Sequence, residues 1–203
     1  MRKILKSALL VACAVFSGNA LAQESKPFGL TMGMSKQAIE KALADKGGIR
    51  EGGKFHFYSS RAIEDSKFFT AYSYVVAPSV GVCGATGYSK RFASFHELKE
   101  FYGALQRALV SKYGRPSQSF NVDKGGENLA LSLKQNKIML DDFWGVGIDA
   151  HQQPFRKPVN NIVEQIHLAA TPLGDSGIVS LKYEFMNSTK CAEFVAKDNS
   201  AGL

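Results

Sequence analysis

Cysteine, tryptophan and histidine are scarce in this chain of 203 residues, which holds three, one and four of them. The two cysteines beyond the amino-terminal region, Cys83 and Cys191, are too far apart to form a CxxC redox pair. No second close-spaced ligand accompanies either, as a structural metal site would require. Long apolar runs are missing too. Even Ala8 to Phe16 falls far short of the roughly 20 residues that cross a bilayer. Charge of one sign is nowhere concentrated. Lys36, Lys41, Lys46, Arg50 and Lys54 alternate with Glu40, Asp45 and Glu51, the pattern of a solvated face and not of a nucleic-acid footprint. Catalytic signatures are equally thin. His96-Glu97 opens no HExxH, because position 100 is Glu100, and Gly145-Val146-Gly147 is too short for a dinucleotide fingerprint. Ser89 lacks the following glycine of a nucleophile elbow. Asp141-Asp142 is the one paired acid, and neighbours in a strand point to opposite faces. These absences predict no metal, no cofactor and no nucleic-acid partner.

What is present begins at the amino terminus. Arg2, Lys3 and Lys6 precede the apolar stretch Ala8 to Phe16, and Ala20-Leu21-Ala22 follows as a small-x-small cleavage site before Gln23. Residues 1–22 thus read as a secretory signal peptide that delivers the chain to the periplasm. Leu10-Val11-Ala12-Cys13 also matches a lipobox, in which Cys13 would carry the lipid and anchor the protein. Against that second reading, the apolar stretch before the cysteine runs only from Ser7 to Ala12, short for the apolar region of a signal. Residues 1–22 hold three basic and no acidic side chains, so the mature 181 residues carry 22 basic against 18 acidic groups, net +4 instead of +7. In an oxidising compartment, Cys83 and Cys191 are expected to form one disulfide. Closing a loop of 108 residues, it would contribute about 4–5 kcal/mol on the chain-entropy account.

The mature chain reads as α+β, with two successive helix-then-antiparallel-strand units at residues 23–92 and 93–203, or one compact domain of both. Ser35 is a good N-cap for a helix carrying Ile39, Ala42 and Leu43, which Gly47-Gly48 ends. Phe55 to Tyr58, Phe68 to Ala77 and Val80 to Phe92 read as strands. The second unit opens on a capping box, Ser94-Phe95-His96-Glu97. Phe95, Leu98, Phe101, Tyr102, Leu105, Ala108 and Leu109 keep a 3.6-residue period until Gly114-Arg115-Pro116 stops it. Ser117 to Val122, Leu129 to Leu133, Ile138 to Phe143, Ile162 to Ala169 and Ile178 to Phe185 follow as strands, the last two hairpinned around Pro172 to Asp175.

Gly145 to Asn161 keeps no period. A structureless stretch of this length is uncommon in a compact domain and is often functional. Trp144, His151, Phe155, Arg156 and Lys157 are the candidate binding residues there, because aromatics and arginine dominate binding hot spots. The competing reading is a wandering surface loop, with Trp144 plugging the core at a strand end.

Phe28-Gly29-Leu30-Thr31-Met32-Gly33-Met34-Ser35, a short strand running into an amphipathic helix, resembles the opening of the BamE-like (SmpA/OmlA) outer-membrane assembly lipoproteins. It is also similar in outline to the tandem helix-plus-sheet units of the β-lactamase inhibitor protein. The resemblance implies an α+β fold that works by binding protein, and it carries over no functional residue. Two functions therefore stand at this point. One is an exported binding or inhibitory module whose partner is a protein or an envelope component. The other is an envelope hydrolase using Asp142, Asp149 or His151. The oligomeric state stays open.

Overall fold

A computed structural model describes residues 26–126, 128–148 and 151–200, the side chains of the last two aside. The signal region, Cys13 and Asp149 lie outside the described residues. The fold is α+β, with four helices packed on one large antiparallel sheet. The sheet contains β1 (Arg50–Glu51), β2 (His56–Ser59), β3 (Ala71–Ala77), β4 (Gly81–Tyr88), β5 (Gln118–Asp123), β6 (Ile138–Trp144), β9 (Val163–Leu173) and β10 (Ser176–Phe185). Their spatial order is β1-β2-β3-β4-β10-β9-β6-β5. The β4–β10 pair, from Ser180↔Tyr88 to Glu184↔Gly84, joins the strands of residues 23–92 to those of 93–203 in that one sheet. A separate hairpin, β7 (Val146–Ile148) with β8 (Pro154–Arg156), lies between β6 and β9 in sequence.

The inner face is sealed by helices. α1 (Lys36–Leu43) starts at Ser35, whose Oγ accepts from the Ala38 N–H at 3.2 Å, and it buries Ile39 and Leu43. Beyond a short 3-10 turn, Gly47 takes φ 94°, the left-handed cap that glycine adopts without penalty. α2 (Phe95–Tyr113) is the helix its period predicts, with Leu98, Tyr102, Leu105 and Leu109 buried. Each buried leucine contributes about 1.5–3 kcal/mol of transfer free energy. Ser94 occupies the N-cap position, but its side chain makes no capping bond. Phe28 stands at the centre of an aromatic cluster, edge-on to Phe69, Tyr72 and Tyr183 at centroid distances of 5.1–5.6 Å.

Four local expectations are corrected. Leu129 to Leu133 is no strand but part of α3 (Leu129–Lys134), capped by Asn128, whose Oδ1 accepts from the Leu131 N–H at 2.9 Å. The short strand that the resemblance implies from Phe28 into Gly33-Met34-Ser35 is absent, and Pro27–Gly29 is instead a 3-10 turn with Phe28 at φ 58°. Gly145 to Asn161 is not structureless, because it contains the β7–β8 hairpin. The C-terminal segment, assigned no element from sequence, is α4 (Ser188–Ser200).

α4 lies on the other side of the sheet. Its Cys191 stands at disulfide distance from Cys83, with Cα atoms 6.4 Å apart, and both are buried with Ala77. Phe194 meets Phe55 edge-on at 5.7 Å, and Lys54 pairs with Asp198. Only the β3–β4 end of the outer face receives this cover.

Candidate functional site

Strand alternation assigns the outer face its residues. Tyr74, Ala85, Tyr183 and Leu181 point into the core, so Val75, Gly84, Lys182 and Glu184 point outward. Against them α4 sets Ala192 and Val195, and the result is a trough of about 720 Å³. Its floor and α4 wall are largely apolar. Its rim carries Arg156 from β8 and the ion pair of Lys182 with Glu184. Arg156 Nη1 donates to Glu164 Oε1 at 3.1 Å, and Ser188 Oγ donates to the other Glu164 oxygen, so one carboxylate ties β8 to the start of α4.

A second depression of about 210 Å³ continues across the same face and shares Lys182 and Glu184 with the trough. His167 lies stacked on Phe143, centroids 4.2 Å apart and planes 10° from parallel. Its Nε2 donates to Asp141 Oδ1 at 3.1 Å. Gln165 Nε2 donates to Glu184 Oε2 at 2.9 Å. The face therefore combines an apolar slot with a row of paired charges and one oriented imidazole.

Asp142, on the opposite face from Asp141, is buried to 1% exposure. Tyr102 Oη donates to its Oδ2 at 2.9 Å and Gln106 Nε2 donates to the same oxygen at 2.7 Å. Burial, with the Asp142 charge second, pushes the Tyr102 hydroxyl well above its ordinary 10. Asp142 is thus held by two donors under α2, far from the open face.

The sequence-derived binding residues separate. Trp144 is 3% exposed, and its indole Nε1 donates to the Gly114 carbonyl at 2.8 Å. It fills the core at the end of β6 and anchors the exit of α2. Arg156 lines the trough. Phe155, half-buried on the other side of β8, lies against Gly147 of β7. Lys157 is exposed and donates its backbone N–H to Gly145 at 2.9 Å. His151 is exposed at the turn of the hairpin. Of the five, one faces the trough.

The outer-face residues missed from sequence are Lys182, Glu184, Gln165 and Phe143, together with the α4 wall. The alternation of Ser180, Lys182 and Glu184 marks a sheet face turned away from the core. It does not mark that a helix from the C terminus closes half of that face into a slot. Among the described residues, no three His, Cys, Asp or Glu side chains gather as metal ligands, and no helix is long and apolar enough to cross a membrane. No family model matches this chain, and neither a curated protein nor a solved structure matches it.

Proposed function

We propose that the mature chain is an exported, non-enzymatic binding or inhibitory module of the periplasm, whose partner is a protein or an envelope component. The observation that carries this reading is the outer-face trough. A concave, mostly apolar site with a few oriented polar groups is the usual form of a binding site. Its apolar floor supplies burial, and its paired rim charges supply orientation with little net charge. The cysteine pair at disulfide distance fits an oxidising compartment.

A second reading rests on one pair. His167, oriented by Asp141 on the open face, has the arrangement of a general base held by a carboxylate. In an envelope hydrolase it would activate water.

Purified mature protein, cross-linked in envelope extract, separates the two. Ala192→Trp fills the trough from the exposed side of α4 and should leave thermal stability within ~0.5 kcal/mol of the parent. Phe155→Ala with Arg156→Ala tests the hairpin in the same way. The binding reading expects a partner recovered by the parent and lost with Ala192→Trp. Capture unchanged by both variants overturns the trough as the site. Hydrolysis of cell-wall or ester substrates that disappears with His167→Ala replaces the binding reading by the enzymatic one.

A further inference from the structure

The two edges of the large sheet are built differently. β1 is two residues long, Arg50-Glu51, both charged and exposed. Short, charged strands blunt an edge against pairing with another chain. β5 closes the other edge with six residues, Gln-Ser-Phe-Asn-Val-Asp, holding no proline and no lysine. Ser119, Phe120 and Asn121 are exposed in its middle. The bond from the Lys124 N–H to the Lys137 carbonyl sets the phase of the β5–β6 ladder, whose register pairs Asp123 with Ile138. By antiparallel alternation, Ser119, Asn121 and Asp123 then turn their backbone groups away from β6 and toward the open edge.

Directly inside that edge, between β5 and α2, lies a cavity of about 180 Å³ lined by Asp142, Tyr102, Gln106, Lys99, Ser119 and Asn121. Asp142 Oδ2 takes both donors described above. Its Oδ1 is buried and has no partner among the described residues. A carboxylate accepts at about four lone-pair positions, and a buried oxygen left unpaired is costly. Lys99, which lines the cavity, points instead to Asp123 Oδ2 at 3.4 Å.

We propose that β5 is a docking edge for an extended segment of a partner protein, and that a lysine or arginine of that segment enters the cavity and pairs with Asp142. Strand addition supplies affinity through backbone hydrogen bonds, and a side-chain pocket supplies selectivity. The added strand would lie two strand spacings, about 9.6 Å, from β6. A long cationic side chain and the Asp142 carboxylate close that span between them. A second copy of this chain is the poorer occupant. The inner-face residues of its own β5 would be Ser119, Asn121 and Asp123, none of which is a cation. This edge lies three strands from β10 and on the opposite face from the trough, so it stands independently of the reading given above.

The test uses the mature protein and a displayed library of random extended peptides. Selected peptides should carry lysine or arginine at one fixed position between β-forming residues. Changing that cation to leucine should weaken binding by at least about tenfold, the usual range for a hydrogen bond to a charged group. Asp142→Asn should erase the difference. Asn121→Pro removes an edge N–H that no strand among the described residues uses, a change that edge strands tolerate. It should abolish binding while leaving the urea midpoint near that of the parent. Peptides with no fixed cation, peptides still bound by Asn121→Pro, or peptides displaced by Ala192→Trp each overturn the proposal. So does a concentration-dependent dimer that Asn121→Pro disrupts without any selected cationic peptide.

Discussion

Asp65 illustrates how much one exposed carboxylate organises. Arg61 donates to its Oδ2 from Nε at 2.9 Å and from Nη2 at 2.6 Å, and the Ala62 N–H donates to Oδ1 at 2.8 Å. Lys46 approaches to 3.6 Å and also donates to the carbonyls of Ala62 and Ile63. The loop between β2 and β3 is thereby pinned to the end of α1. The Arg61 hydrogen bonds hold the Asp65 carboxyl at about 2, below its ordinary 3.8. A carboxyl whose pKa falls on folding stabilises the fold above its unfolded value, and that contribution disappears as pH drops through the folded value. Stability measured by urea midpoints should therefore decline between pH about 4 and about 2, and Asp65→Asn should flatten this part of the profile. A midpoint profile unchanged by Asp65→Asn would show that the pair adds nothing beyond salt-screened surface attraction. At the same scale, the division of Asp141 from Asp142 between two faces was legible, because alternation in a strand requires it. Their partners were not. Tyr102 and His167 reach them across 40 and 26 residues of sequence, and no local period encodes such pairing.

Elements were legible where one period dominated and illegible where two coexisted. α2 keeps a single 3.6-residue stripe over 19 residues and is recovered from sequence. In α3, Leu129, Leu131 and Leu133 alternate with shorter or polar residues, which mimics a strand. The helix buries Leu129, Ala130, Ser132 and Leu133 and leaves Leu131 51% exposed. A helical stripe of one-three-four spacing and a two-residue alternation share Leu129 and Leu133, and the Asn128 cap with its packing on β9 decides between them. α4 shows a different reason. It packs chiefly on β3 and β4, some hundred residues earlier, and its own sequence is weakly apolar, so the cysteine pair and the Phe194–Phe55 contact are its main anchors on the sheet. That dependence is testable. Cys83→Ser with Cys191→Ser should cost up to about 4–5 kcal/mol against urea. Amide exchange should accelerate across Ser188–Ser200 while β9 and β10 stay protected, since local opening starts where buried contacts are fewest. The trough should lose its α4 wall in the same variant. Unchanged protection of α4, or two freely reactive thiols in the native protein, would remove the bridge from this account.

At the scale of the whole molecule, one sheet has one face sealed by three helices, a second face half covered by a fourth, one blunted edge and one open edge. The binding function proposed above would use the half-covered face, and the proposed strand docking would use the open edge. The asymmetry also gives the two cysteines a mechanical task, because the helix they hold walls the trough on the otherwise solvent-facing side of the sheet. A bond between them fits an oxidising compartment, which the proposed export would supply. The two routes that the sequence offers differ in where they leave the molecule. Cleavage after Ala22 gives a chain starting at Gln23, free in the periplasm. Lipidation at Cys13 would keep Cys13 to Ala22 on the chain and anchor the protein to a membrane. A single acyl chain binds membranes only marginally, so stable anchoring would require the further acylation that lipoproteins receive. The Ala-x-Ala site at a normal distance from the apolar run favours the first route. Intact mass of protein purified from the periplasmic fraction should equal residues 23–203 with two hydrogens missing for one disulfide. A mass corresponding to an acylated chain from Cys13, recovered with membranes, would replace cleavage after Ala22 by the lipoprotein reading and make the envelope itself the first partner to test.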